Sequence, residues 1–306
     1  MAGTQISPAN TGGFSYLVSR DYTDIFYDEY MEWPALWSQI AKITTSDGNY
    51  EREAVLSPLG EMEELGEGGA INFDVPEQGY PKYWQHTIFG KGFQITEPMF
   101  DDDRTGKMKL MPKSLAQCGR WKQEVQFWDL FNSGFATHTC ADTKYVFDQS
   151  RPLLNSGSTW SNEPSTPYAL SESSFSAANQ AFKDWVNESG MPIFMSPWKL
   201  IIPTDLEWLA KRLLRSEHRI LTADNDINPA KGSDIGVDYM VNPYLTSSTA
   251  WFLVAKKHDA RMVWRKKLAF KSGDDFNTGN ALFKATQRFS NVVVDARGLY
   301  GSPGTT

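Results

Sequence analysis

Residues 50–80 read YEREAVLSPLGEMEELGEGGAINFDVPEQGY, and their pattern decides what kind of protein this is. Glutamate and glycine are frequent, and Pro58 and Pro76 interrupt the run. Neither a 3.6-residue nor a two-residue hydrophobic period lasts long enough to bury a face. Irregular segments of this length are uncommon inside compact domains and are usually functional or disordered. The run is not low-complexity, because Val55, Leu56, Leu59, Met62, Leu65, Ile71, Phe73 and Val75 recur through it. Apolar residues on a segment too open to bury them locally need a surface elsewhere, and a neighbouring copy of the chain can supply one. Val55, Leu56, Leu59, Met62, Leu65, Ile71 and Phe73 are therefore candidate intersubunit contacts, with Gly66, Gly68 and Gly69 at a flexible tip.

The flanks give the run its shape. Tyr50 to Leu56 feeds it, and Tyr83 to Ile95 drains it with Tyr83, Gln85, Thr87 and Phe89 alternating against Trp84, His86 and Ile88. Two extended limbs with a glycine-rich tip predict a long hairpin. On the N-terminal side, residues 1–13 read as a flexible arm. Tyr22 to Ile43 carries aromatic residues at helical spacing interrupted by Pro34, which predicts a short helix, a break and a further turn.

On the C-terminal side, Lys113 to Asn132 predicts the strongest helix of the first half. Its stripe is Leu115, Cys118, Trp121, Val125 and Trp128, widened by Phe127, Leu130 and Phe131; Pro112 stands before it and Gly134 after it. Ser150 to Pro167 is dominated by serine and proline and reads as a linker at a domain boundary. Ser174 to Ser189 predicts another helix closed by Gly190 and Pro192, Trp198 to Ile202 a buried strand ended by Pro203, and Thr204 with Glu207 a capping box. The helix after it buries Leu206, Leu209, Ala210, Leu213 and Leu214. Trp251 to Ala255 completes a small α/β module. Arg261 to Lys271 and Ala281 to Asp295 then form a long antiparallel pair around the turn-forming SGDDFNTGN.

Composition narrows the function. With 306 residues, 41% hydrophobic and 22% charged, the chain is that of a folded protein of one large or two ordinary domains. A net charge of −7 opposes general nucleic-acid binding, which needs surplus Lys and Arg. Cys118 and Cys140 form neither a disulfide framework nor a CxxC pair. The first residues lack a signal-peptide pattern, so export by that route is not expected, and no apolar run reaches membrane-spanning length.

No catalytic constellation emerges, and no cofactor or metal is expected. Asp101, Asp102 and Asp103 could ligate a hard cation, but a solvated turn before a helix is the stronger reading. Asp224-x-Asp226-x-Asn228 fails as a calcium loop because Pro229 stands where glycine is needed. Gly66-Glu67-Gly68-Gly69 lacks the Lys-Ser/Thr of a phosphate loop. His86, His138, His218 and His258 show no ligand spacing, and His138 near Cys140 has no context for an activated thiol. Arg265, Lys266 and Lys267, within a basic cluster that begins at Lys256, read as a solvated strand face with salt bridges to the glutamate-rich run. A sharper hypothesis pairs them with Glu61, Glu63 and Glu64 of a neighbouring copy, where charge sets register.

With these segments in place, ITEPMFDDDRTGKMKLMPKSLAQCGRWKQEVQFWDLFNSGF (95–135), the Cys140-Ala141-Asp142 and Phe147 that follow, WKLIIPTDLEWLAKRLLRSE and MVWRKKLAFKSGDDFNTGNALFKATQRF resemble the Mu-like major head subunit family of tailed bacteriophages. The resemblance runs from about Tyr50 onward. It implies an α+β fold, the Hong Kong 97-type capsid fold. Residues 1–49 would be an N-terminal arm and 50–95 the extended loop with its flanking strands. Residues 96–168 would be a peripheral domain with spine helix 113–132 and a linker, 169–258 an axial domain, and 259–306 the return strands and C-terminus. It further implies a major capsid protein that self-assembles into hexamers and pentamers around packaged DNA. A scaffolding protein, a portal and decoration proteins would be its partners, with assembly in the bacterial cytoplasm and location in the virion. A net negative charge suits such a container, since a basic lining would hold the genome tightly. Cross-linking by Lys82 or Lys91 is not expected. A tryptophan-rich carbohydrate-binding or adhesion protein is the alternative, and an acidic-site metal hydrolase using Asp101 to Asp103 a third reading.

Overall fold

The computed structural model describes residues 11–305 except 72, 74, 76, 77, 97, 100, 101, 104, 105, 155, 156, 218–227, 232–235 and 276–279. Asp101, His218, Asp224 and Asp226 lie outside the described residues. Helix α1 spans Thr11–Glu32, longer than the short helix predicted from Tyr22; Pro34 follows its end, and a 3-10 turn covers Trp37–Gln39. Strand β1 (Lys42–Thr45) leads to β2 (Tyr50–Leu56), β3 (Gln78–Gln85) and β4 (Thr87–Ile95), and helix α2 spans Leu110–Asn132. Short strands β5 (Arg151–Pro152) and β6 (Thr159–Trp160), helix α3 (Glu172–Asp184), β7 (Pro197–Ile202), helix α4 (Glu207–Arg215), β8 (Asp238–Val241) and β9 (Trp251–Ala255) follow. The chain closes with β10 (Ala260–Asp274), β11 (Ala281–Val293) and β12 (Leu299–Ser302).

Two four-stranded sheets carry this α+β architecture. One runs β1-β10-β11-β4 and the other β12-β9-β7-β8. The predicted antiparallel pair is β10 with β11, running from Ala260↔Val293 to Asp274↔Ala281 with irregularities between Trp264 and Ala269. The C-terminal half of α2 lies between the sheets. Its Phe127, Trp128 and Phe131 share a core with Met262, Trp264 and Phe289 of the first and Ile201, Phe252 and Val254 of the second. Fully burying an aromatic of this kind contributes roughly 1.5–3 kcal/mol, and Phe127 and Trp128 are both wholly enclosed. The other face of the second sheet packs Leu200, Ile202, Trp251 and Leu253 against Phe175 and Phe182 of α3 and Leu213 and Leu214 of α4.

Several expectations need correction. The buried stripe of α2 is rotated from the predicted one: Gly119, Gln123 and Glu124 face inward, whereas Trp121 is 61% exposed and Val125 also reaches solvent. Gln123 donates to Gln287 Oε1 at 2.7 Å and to the Tyr30 hydroxyl at 3.1 Å. Glu124 accepts from Leu36 N–H (2.6 Å), Trp37 N–H (3.1 Å) and Trp128 Nε1–H (2.8 Å). Burial raises the Glu124 pKa, and these hydrogen bonds, with Arg120 nearby, oppose the shift. Satisfied polar groups can thus occupy core positions that periodicity assigns to apolar ones.

Ser150 to Pro167 is no free tether. Arg151 is buried, donating to the carbonyls of Tyr145 and Val146 and pairing with Asp142 at 3.0 Å, and the buried Asn162 donates to the carbonyls of Val146 and Leu299. The capping box lies at Ser171 and Ser174 of α3 rather than at Thr204 and Glu207, where a 3-10 turn (Thr204–Leu206) precedes α4. Helix α3 stops at Asp184, five residues short of the predicted end, because Trp185 turns extended.

Candidate intersubunit interface

The run from Tyr50 to Tyr80 leaves the body as a two-stranded ribbon. β2 pairs antiparallel with β3 from Tyr50↔Gln85 to Ala54↔Pro81, with an irregularity before Leu56↔Gln78. The return limb is therefore Gln78–Gln85, not Tyr83–Ile95: the chain changes sheet at His86, and β4 pairs with β11. The ribbon root is tied to the body. Val55 and Trp84 pack against Val263, Val292 and Val294, and Arg261 forks onto Glu53 at 2.5 and 2.9 Å. Gly79 permits the close approach, since a Cβ there would meet the Val55 carbonyl and Leu154 at 2.8 Å.

His86 sits at the corner. Its Nδ1 is 2.9 Å from Ser290 Oγ and its Nε2 3.0 Å from Ser46 Oγ. Arg288 donates to its carbonyl, and Arg265 donates to the Ser46 carbonyl. Burial pushes the imidazole below its ordinary value; Glu51 opposes this, and Arg288 and Arg265 add to it.

Beyond the ribbon, residues 57–77 show no regular element among those described, apart from a turn closed by Gly69 N–H on the Gly66 carbonyl (2.9 Å) with Gly68 at φ 81°. Leu56, Leu59, Leu65 and Ile71 are exposed, as are Met62 at 98% and Phe73 at 85%; Val55 alone of the candidate contacts is partly covered. Glu61, Glu63 and Glu64 lie on the same exposed loop. Large apolar side chains exposed in number along one loop mark an interaction site in a folded chain. Lys266 and Lys267 face solvent, while Arg265 reaches Asp47 at 3.2 Å. Within one chain, then, Arg261 engages the glutamate-rich run and Arg265 its approach.

Trp121 of α2, placed in the core by periodicity, is a surface residue that the sequence pattern missed. The signal available was Gly119 and Gln123 at the spacing of a close-packed polar face. The eleven tryptophans form no common platform: Trp37, Trp128, Trp185, Trp251 and Trp264 are buried, and the exposed Trp33, Trp121 and Trp208 stand at the end of α1, on α2 and on α4.

The chemistry-bearing candidates are occupied structurally. The Asp103 carboxylate accepts from Lys107 N–H and Met108 N–H, capping a 3-10 turn before α2. His138 pairs with Asp129 at 2.8 Å rather than with Cys140. The Cys140 thiol is pushed up to about 12 by burial, which Arg151 partly offsets, so it stays protonated at neutral pH. Among the described residues no cluster of His, Cys, Asp and Glu could hold a metal ion, and no helix is long and apolar enough to cross a membrane.

The exposed ribbon and loop, the long helix between two sheets and the α/β module built on the second sheet together define the phage capsid class of α+β folds, the Hong Kong 97 type. Solved structures share it. One from Microbacterium phage Oxtober96 matches with TM-score 0.57 at 10% identity, covering 89% of this chain and 92% of that one. The decorated capsid of bacteriophage JBD30 gives 0.56 at 14%, covering 70% and 92%. A virus-like particle from Pyrococcus furiosus gives 0.55 at 10%, covering 92% and 98%. At such identities the likeness concerns fold. The phage capsid protein family model matches residues 80–302, and the chain belongs to that family. Its function is that of a phage capsid protein. No curated protein sequence matches it.

Proposed function

We propose that this chain self-assembles into hexamers and pentamers that close an icosahedral shell around packaged DNA. The extended loop of each subunit lies on a neighbour through Leu56, Leu59, Met62, Leu65, Ile71 and Phe73. The observation that carries this reading is the loop itself: side chains as apolar as Met62 and Phe73 stand in water in the single chain, and burying them between copies recovers roughly 25 cal/mol for each Å² covered. Residues 1–49 act as the arm, 96–168 and 259–306 as the peripheral domain and 169–258 as the axial domain around the capsomer centre. Glu61, Glu63 and Glu64 meet Arg265, Lys266 and Lys267 of an adjacent copy and set register.

The subunit performs no reaction and needs no cofactor. It assembles in the host cytoplasm with a scaffolding protein, and a portal and decoration proteins complete the head; its shells carry no covalent cross-links. Lys82 suits that view, since its ammonium is engaged within its own chain, donating to Thr139 Oγ1 at 2.9 Å. Electron microscopy of the purified protein tests the proposal: closed shells, tubes or isolated capsomers support it, and a uniform monomer at high concentration overturns it. A ladder of covalent oligomers on denaturing gels would refute the absence of cross-links.

A further inference from the structure

A cavity of about 30 Å³ lies where the ribbon, the segment after α2 and the end of β11 meet. Val55 and Tyr80 line it from the ribbon, Arg151 and Trp160 from the segment, Glu188 from the stretch between α3 and β7, and Arg297 from beyond β11. Arg151 and Arg297 are almost wholly enclosed, at 1% and 7% exposure. Both guanidinium groups sit over the Trp160 ring, 5.3 and 4.9 Å from its centre.

Most of their donors are accounted for. Arg151 Nη1 donates to the Tyr145 and Val146 carbonyls, and its Nη2 to Asp142. Arg297 Nε donates to the Val186 carbonyl, and its Nη1 pairs with Glu188 at 2.7 Å and more loosely with Asp295 at 3.4 Å. Arg151 Nε and Arg297 Nη2 are different. Both are shut off from solvent, and neither has an acceptor among the described residues. A buried N–H on a charged group is costly to leave unpaired.

Size and charge select the occupant. The cavity exceeds the roughly 10–15 Å³ that one water needs and falls far short of the roughly 300 Å³ of the smaller ligand pockets. Arg151 and Arg297 face Asp142, Glu188 and Asp295 across it, two positive groups against three negative ones. A halide would therefore meet excess negative charge. Protonating Asp142, whose pKa burial raises against the pull of Arg151, would only balance the walls. A cation would meet two guanidinium groups, and the carboxylates already accept from the amides of Lys144, Leu154 and Arg297. A neutral acceptor remains.

We infer that this cavity binds one ordered water molecule, which accepts from Arg151 Nε–H and Arg297 Nη2–H and donates to a carboxylate of the wall. Three hydrogen bonds are the usual complement of a buried water. Through it the ribbon root, the segment after α2 and the chain beyond β11 share one polar joint. The site belongs to the single subunit and stands whether or not shells form.

Crystals of the full chain grown with bromide in place of chloride test the site directly. The expected result is density for one water within hydrogen-bond reach of both nitrogens, without the anomalous signal of bromide. An anomalous peak there overturns the assignment in favour of an anion, and a well-ordered site without density overturns it outright. Two isosteric changes read the same point in solution. Ala296, 1% exposed, also lines the cavity; Ala296→Val and Ala296→Thr fill it equally, but only threonine brings an acceptor. Ala296→Val should lower the melting temperature of the unassembled subunit by about 5 °C, and Ala296→Thr by less than half of that. Equal losses, or no loss in either variant, overturn the inference.

Discussion

The loop at 57–77 and helix α2 invert each other's chemistry. The loop holds Met62 and Phe73 in solvent, whereas α2 draws Gln123 and Glu124 into the core and turns Trp121 out. Each inversion has a physical cause. Gln123 and Glu124 are tolerated because Gln287, Tyr30 and the backbone of Leu36 and Trp37 complete their hydrogen bonds, and satisfied polar groups lose little on burial. Met62, Phe73 and Trp121 have no comparable cover among the described residues of one chain. Residue polarity alone therefore places neither region: hydrogen-bond partners decide the one, and the surface left to cover Met62 and Phe73 decides the other.

The comparison can be broken most forcefully at the loop. Deleting Gly60 to Gly69 should leave a subunit with wild-type circular dichroism and melting behaviour that yields no stable shells in electron micrographs; normal shells would remove the loop from the assembly mechanism. The converse change lies in the helix, where Phe127→Ala empties a fully enclosed site and should cost about 3–5 kcal/mol in urea unfolding of the unassembled subunit.

Acid should separate the regions next, since the loop carries no histidine. Between β9 and β10, His258 is buried, and its Nδ1 accepts from Ala260 N–H at 3.1 Å. Burial, with Lys42 adding to it, lowers its pKa from 6.5 to about 4, against a backbone hydrogen bond that opposes the shift. Because the folded state favours the neutral ring, its contribution is complete above the ordinary value and drains away as pH falls toward about 4. The loss amounts to on the order of 3 kcal/mol. Unfolding at pH 7 and pH 4.5 should show the decline, and His258→Asn should show less of it; equal declines would clear this ring of responsibility.

Smaller effects belong to surface charge and single loop contacts. Reversing Lys266 and Lys267 to Glu should slow or misdirect assembly in light scattering while leaving subunit stability within about 0.5 kcal/mol; unchanged assembly would count strongly against the charge pairing. Met62→Ser should likewise spare the subunit and raise only the concentration needed for shells to form, an effect that a concentration series resolves.

Much of this was legible in the chain itself. Trp198 to Ile202, Trp251 to Ala255 and the β10–β11 pair follow from β-branched and aromatic runs bounded by proline and turn residues, which are local signals. The long helix was legible in extent and misread in phase, because apart from Trp128 the groups that satisfy Gln123 and Glu124 lie about 90 to 160 residues away in sequence. The hairpin was legible as an object, but its return limb ends at a corner fixed by Ser46, just past β1, and Ser290 of β11, which no alternation of Tyr83 to Ile95 encodes. Ser150 to Pro167 misled through composition: Arg151 and Asn162 are held in the core by carbonyls that a serine-rich reading cannot anticipate.

The single-residue corner at His86 has a mechanical consequence. Strands of seven or eight residues rise on the order of 25 Å, so a rotation of about 10° at their base carries the far end through roughly 4 Å. The ribbon is a lever whose fulcrum is made of a few side-chain hydrogen bonds and one small apolar cluster, outside the main core between the sheets. In the shell proposed above, a ribbon hinged in this way would follow neighbours inclined at different angles, while the aromatic packing of Phe127, Trp128 and Phe131 stays as it is.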